Sequence, residues 1–112
     1  MPSVNKAIVA GHLGKDPELR QTQSGKSVCS FTMATKGHED ATDWHNIVVW
    51  GNSAESCAKY LRKGASALVD GRIQTRSWED KEGNKRYTTE IVANRVDFLT
   101  KAEPRIDEIP QG

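Results

Sequence analysis

Trp44, Trp50 and Trp78 stand in strand-like stretches beside Lys or Arg, in a chain whose aromatic content is only 6%. Large rings ordinarily serve a core, so their strand position decides their use. Residues 43–50 alternate: His45, Ile47 and Val49 share one parity, and Trp44, Asn46, Val48 and Trp50 share the other. On a regular strand this puts Trp44 and Trp50 on one face, ~20 Å apart at ~3.3 Å per residue, with Ile47 and Val49 opposite them. In a later strand Arg72, Gln74, Arg76 and Trp78 share a parity, leaving Ile73 and Thr75 for the inner face. Lys85 and Arg86 add charge across the next turn. Rings on a polar face next to guanidinium groups can stack on bases while the cations meet phosphates. Such a face suits unpaired nucleic acid and has little regard for its sequence.

Chemistry of other kinds finds little support. Glu39, Asp40 and Asp43 cluster in a polar loop that could hold a cation but reads as a solvated turn, and the three His lie in separate segments and make no metal spacing. Cys29 falls in an apolar strand pattern and Cys57 in an apolar helical one, with no Cys-x-x-Cys spacing. Both read as small buried thiols. No catalytic residue, metal site or cofactor is expected, and the protein is expected not to be an enzyme.

A length of 112 residues allows one core and one domain. Net charge is +1, but it is unevenly spread: residues 1–102 hold 15 Lys and Arg against 12 Asp and Glu, and the last ten hold Glu103, Asp107 and Glu108 against Arg105. A mildly basic body over residues 1–101 and a short acidic tail over 102–112 follow. No apolar run reaches membrane-span length, and Met1 to Lys6 lacks the features of a signal peptide. The expectation is a soluble, intracellular protein that binds no membrane.

The elements that must position these side chains read as three strands, a helix and two strands. Residues 4–13 are rich in β-branched and small apolar types, with Gly11 and Gly14 where a strand would bend. Cys29, Phe31 and Met33 alternate with polar or small neighbours in a second strand, and 43–50 make a third. Between Asn52 and Gly64 the period changes, and Ala54, Cys57, Ala58 and Leu61 form one helical stripe. Asn52 is the expected cap and Gly64 the left-handed stop. Alternation returns over 67–78 with Gly71 as a bend, a turn spans 80–84, and 87–93 answers it before an apolar finish at 96–99. Five strands with a helix between the third and fourth are the layout of the OB-fold, a small all-β Greek-key barrel.

Several runs resemble the bacterial single-stranded DNA-binding protein family. They are Val4-Asn5-Lys6, the stretch from Gly11 to Glu18, Thr42-Asp43-Trp44-His45, Tyr60-Leu61-Arg62-Lys63-Gly64 and Arg86-Tyr87-Thr88-Thr89-Glu90. The most specific is Val69-Asp70-Gly71-Arg72-Ile73-Gln74-Thr75-Arg76-Ser77-Trp78, and together they cover nearly all of residues 4–99. The resemblance implies a homotetramer that binds and protects single-stranded DNA in replication, recombination and repair, in the cytoplasm with the nucleoid. It gives stacking roles to Trp44, Trp50 and Trp78, with Trp50 where Phe is common. Lys6, Arg72, Arg76 and Arg86 join as phosphate contacts, and Tyr60 and Tyr87 as weaker contacts. His45 matches a position close to the subunit interface.

Two departures stand out. The loop from Gly37 to Asp43 is short and lacks the additional Trp often found there. Relatives also carry a long linker ending in Asp-rich Ile-Pro-Phe that recruits replication and repair enzymes. Here Asp107-Glu108-Ile109-Pro110 is followed by Gln111-Gly112, which weakens the expectation of such partners. The rival reading is an OB-fold assembly module of a primosome-like complex, against which the three retained Trp argue.

Overall fold

The computed structural model describes residues 1–100; the tail with Asp107, Glu108, Ile109 and Pro110 lies outside them. Six strands and one α-helix follow in the order β1 (Ala7–Leu13), β2 (Glu18–Gln21), β3 (Ser27–Lys36), β4 (Thr42–Trp50), α1 (Asn52–Tyr60), β5 (Ser66–Glu79) and β6 (Lys85–Phe98). The sheet runs β1-β5-β6-β4-β3-β2, and β1 also pairs with β3 through His12↔Ala34 and Leu13↔Met33. That second pairing bends the sheet into a ring of β1, β3, β4, β6 and β5. A short parallel contact, Ile47↔Ile91 and Val48↔Val92, joins β4 to β6. Ring order and helix position are those of the OB-fold.

The extra strand is a correction to the five read from sequence. Glu18–Gln21 is exposed at every residue, so no apolar alternation marks it. It pairs only with β3, from Glu18↔Ser30 to Gln21↔Ser27. It continues the course of β1 after the break at Gly14 to Pro17.

Alternation places the core inside the ring. Cys29, Phe31 and Met33 of β3, Ile47 and Val49 of β4, Ala67 and Val69 of β5 and Val9 and Leu13 of β1 are buried together. Helix α1 closes one end with Ala54 and Cys57, followed by Leu61, the stripe its spacing predicts. Its ends differ from expectation. Gly51, at φ 72°, is the N-cap rather than Asn52, and the helix stops at Tyr60 because Leu61 turns extended to enter the core. Arg62 Nη1 donates to the carbonyls of Ala58, Lys59 and Leu61, satisfying last-turn acceptors that a helix leaves open. Gly64 does hold a positive φ, but four residues beyond the end of the helix at Tyr60. Burial drives the Cys29 thiol up to about 11 and the Cys57 thiol up to about 12, so both stay protonated, uncharged core groups at neutral pH.

Ile73 and Thr75 also depart from expectation. They keep inner parity, yet Ile73 is 48% exposed and Thr75 is exposed. At 14 residues each, β5 and β6 run past the last pairing of β6 with β4 at Ile47↔Ile91, and from Gln74↔Glu90 to Glu79↔Lys85 they pair only with each other, as a two-stranded hairpin.

Where the hairpin leaves the ring the register slips between Asp70↔Arg95 and Gly71↔Ala93, leaving Asn94 as a bulge residue. Gly71 is required there because a Cβ would collide with the carbonyl group of Val92. Gly71→Ala is therefore expected to destabilise the chain by ~1–3 kcal/mol through forced backbone displacement, measured by urea unfolding.

Candidate nucleic-acid interface

The outer face of β4 presents Trp44 and Trp50, 60% and 46% exposed, while Ile47 and Val49 beneath are 1% exposed. Between the rings lies a groove of about 350 Å³ that crosses five strands. Its walls include Glu18 and Arg20 of β2, Ser30 and Thr32 of β3, Asn46 and Val48 of β4, Arg76 of β5 and Thr88 and Glu90 of β6, with Lys15 and Asp16 at one side. Trp50 stands at the other end of β4, over a second recess with Gln21, Lys26 and Ser27.

Trp44 lies against the backbone at Gly14, where a Cβ would strike the edge of the indole. Gly14 itself is tied to the sheet by its N–H, which donates to the Thr32 carbonyl at 3.0 Å. The glycine read from sequence as a bend thus also seats a ring.

Trp78 belongs to a repeated cross-strand pattern. In the β5–β6 register Gln74 faces Glu90, Arg76 faces Thr88 and Trp78 faces Arg86, and the Asp80 N–H reaches the Asn84 carbonyl at the turn. The side-chain bonds run one pair diagonally. Arg76 Nε donates to Glu90 Oε1 at 3.1 Å, Trp78 Nε1 donates to Thr88 Oγ1 at 2.9 Å, and Arg86 Nε donates to Asp80 Oδ2 at 2.9 Å. The indole, 44% exposed, is held in sequence between two guanidinium–carboxylate pairs.

The cations read from sequence are therefore unequal. Arg76 pairs with Glu90, Arg86 with Asp80, and Lys6 with Asp70 at 3.7 Å, whereas Arg72 makes no ion pair among the described residues. On its own face Arg72 stands in a row with Val92 and Val48, which places it beside the groove.

The tyrosines fall elsewhere. Tyr87 faces Ser77, so it projects from the side of the hairpin opposite Trp78, 66% exposed with Lys85 Nζ 5.6 Å from its ring. Tyr60 ends α1 and packs against Phe98 at 6.1 Å between centroids. Phe98 and Tyr87 are eleven residues apart on β6, roughly 35 Å at ~3.3 Å per residue. Neither tyrosine joins the Trp face. His45 keeps inner parity, half-buried, with Nε2 2.8 Å from Thr35 Oγ1.

Sequence reasoning missed Glu90, Thr88, Asn46, Arg20 and Lys15. Asn46 could have been found by its parity with Trp44. The others needed the register of β6 and the existence of β2. Among the described residues no group of three or more His, Cys, Asp or Glu is placed to hold a metal. No described helix is long and apolar enough to cross a membrane.

A five-stranded ring capped by a helix, with exposed tryptophans and an arginine-lined groove on its outer face, defines an OB-fold protein. The model of the single-strand binding protein family matches residues 4–99, and the chain belongs to that family. It is 49% identical over 105 residues to single-stranded DNA-binding protein 1 of Chlorobaculum tepidum, covering 86% of this chain and 65% of that protein. It is 48% identical over 103 residues to single-stranded DNA-binding protein 1 of Staphylococcus aureus, with the same coverage of each. The chain thus spans about 65% of the length of these relatives.

Two outcomes follow from the geometry. Gly14→Ala should displace the Trp44 ring, changing its near-UV circular dichroism, while core burial and the thermal midpoint change little, because the ring edge can yield. Asp80 accepts the Asn84 N–H, the Arg86 guanidinium and the Glu82 N–H, and these hold its carboxyl below the ordinary 3.8. A lowered folded value means the stabilisation is complete above 3.8 and is lost as pH falls through the folded value. Amide exchange at Asn84 should therefore stay slow from pH 6 down to about 4 and accelerate, beyond its intrinsic pH trend, only below that.

Proposed function

We propose that the chain binds single-stranded DNA without sequence preference, stacking bases on Trp44, Trp50 and Trp78 and meeting phosphates with Arg72, Arg76 and neighbouring cations. The observation that carries this reading is the exposure of all three indoles on the outer face, Trp44 and Trp50 on the strand whose Asn46 and Val48 line the groove and Trp78 bonded to the groove residue Thr88, above a core that has no use for them. A ring on a polar face gains little in the free protein and costs solubility. Every base, by contrast, has a flat face for it, and the arginines around the groove supply charge for the backbone. Relatives named single-stranded DNA-binding proteins support the same ligand.

In this reading the protein protects exposed strands during replication, recombination and repair, and works as a homotetramer with His45 near a subunit contact. Apolar side chains exposed in the single chain, among them Ile8 and Ile73, supply surface for such an assembly. Lys6 and Arg86 act at the margins of the DNA path, each with an intramolecular partner in the free protein.

Adding oligo-dT at low salt should quench the intrinsic tryptophan fluorescence; no quenching would contradict the reading. Trp50→Ala and Trp78→Ala should each weaken binding by ~1–3 kcal/mol per base that loses its ring, the range known for single-strand-binding OB-folds generally. Their thermal midpoints should stay close to that of the parent, since neither ring is in the core.

A further inference from the structure

Glu90 is the one charged side chain buried among the described residues, 7% exposed, and it lines the groove on the same face as Trp78. A carboxylate in the wall of a groove meant for a polyanion opposes binding, so its presence needs a reason. Its partner is Arg76, whose side chain is 54% exposed and reaches both the carboxylate and the open groove. A buried carboxylate deprived of its cation carries a large desolvation cost. Arg76 therefore cannot be given wholly to a phosphate without cost to Glu90.

We propose that Glu90 is an internal counter-ion that competes with the DNA backbone for Arg76 and so weakens the grip on DNA and reduces its salt sensitivity. This rests on the DNA-binding reading above and adds a positioning residue to it. In the free protein Arg76 is already neutralised. When a phosphate takes Arg76 and releases a counterion, the freed Glu90 carboxylate recruits a cation or keeps a share of the guanidinium. The net release of ions at this position is then close to zero. Arg72, without an ion pair among the described residues, releases its full share on contact. Glu90 also keeps the Arg76 guanidinium in the groove when no DNA is present, so the competitor and the positioning device are one group.

The test measures affinity for oligo-dT against salt concentration for the full chain. Each phosphate neutralised on a single strand contributes a slope of ~0.7 in log affinity against log salt. Glu90→Gln keeps an acceptor for Arg76 Nε and removes the charge, so the slope should steepen by ~0.7. Over the span from 1 M to 0.05 M salt that slope corresponds to roughly an eightfold change in affinity, so the variant should bind several-fold more tightly at low salt. In an Arg76→Gln background the same change should leave the slope unaltered. Independently of any Glu90 variant, Arg72→Gln should flatten the slope by ~0.7 and Arg76→Gln by clearly less. An unchanged slope or weaker binding for Glu90→Gln overturns the proposal, as does equal flattening by the two arginine variants. A parent protein that fails to bind oligo-dT at low salt would overturn the underlying reading instead, and the parent titration alone reveals it.

Discussion

The period of two along β4 is the constraint on which the site depends. Ile47 and Val49 are almost wholly buried, and a strand that turns them inward must turn Trp44, Asn46, Val48 and Trp50 outward. A slip of one residue would bury two indoles and expose the centre of the core, so the core itself protects the orientation of the rings. The same rule on β3 fixes Ser30 and Thr32 as groove lining by burying Cys29, Phe31 and Met33. Ring closure through β1 and β3 then brings the segment around Gly14 under Trp44. The outer surface is thus a consequence of the packing inside.

Beyond the ring that control is lost, and polar contacts replace it. The hairpin of β5 and β6 has no core to orient its side chains, and Ile73 on its inner side stays half in solvent. Its outer face is ordered by the diagonal series Arg76–Glu90, Trp78–Thr88 and Asp80–Arg86. Each bond is modest alone, about 1 kcal/mol net for a neutral pair. Together they hold an indole in place on an otherwise open two-stranded ribbon, which is marginal without such support. The same bonds neutralise two of the arginines expected to contact DNA, so charge counted from sequence overstates the charge on offer.

Much of this was legible beforehand because alternation and glycine placement carry both fold and site. The helix stripe, the bend at Gly71, the buried thiols and the outward Trp44, Trp50 and Trp78 all follow from local pattern. The short β2 was hidden because a strand exposed on both faces has no pattern. Helix ends were misjudged because Leu61 follows the helical stripe in sequence and yet is drawn into the core in extended form. Tyr87 needed the β5–β6 register to place it on the far side of the hairpin, and Tyr60 needed its packing on Phe98. Glu90 was invisible as a site residue because its importance lies in a partner fourteen residues away on another strand.

The central claim is that bases stack on the three outward indoles, and the indole N–H resonances of the protein titrated with oligo-dT test it most directly. Trp44, Trp50 and Trp78 are the only tryptophans, so each signal reports one ring. All three should shift on binding, together with backbone amides of β3 and β4 around the groove, while amides of α1 near Tyr60 move little. Indole signals that stay fixed while shifts gather at α1 and Phe98 would place the DNA elsewhere and contradict the account.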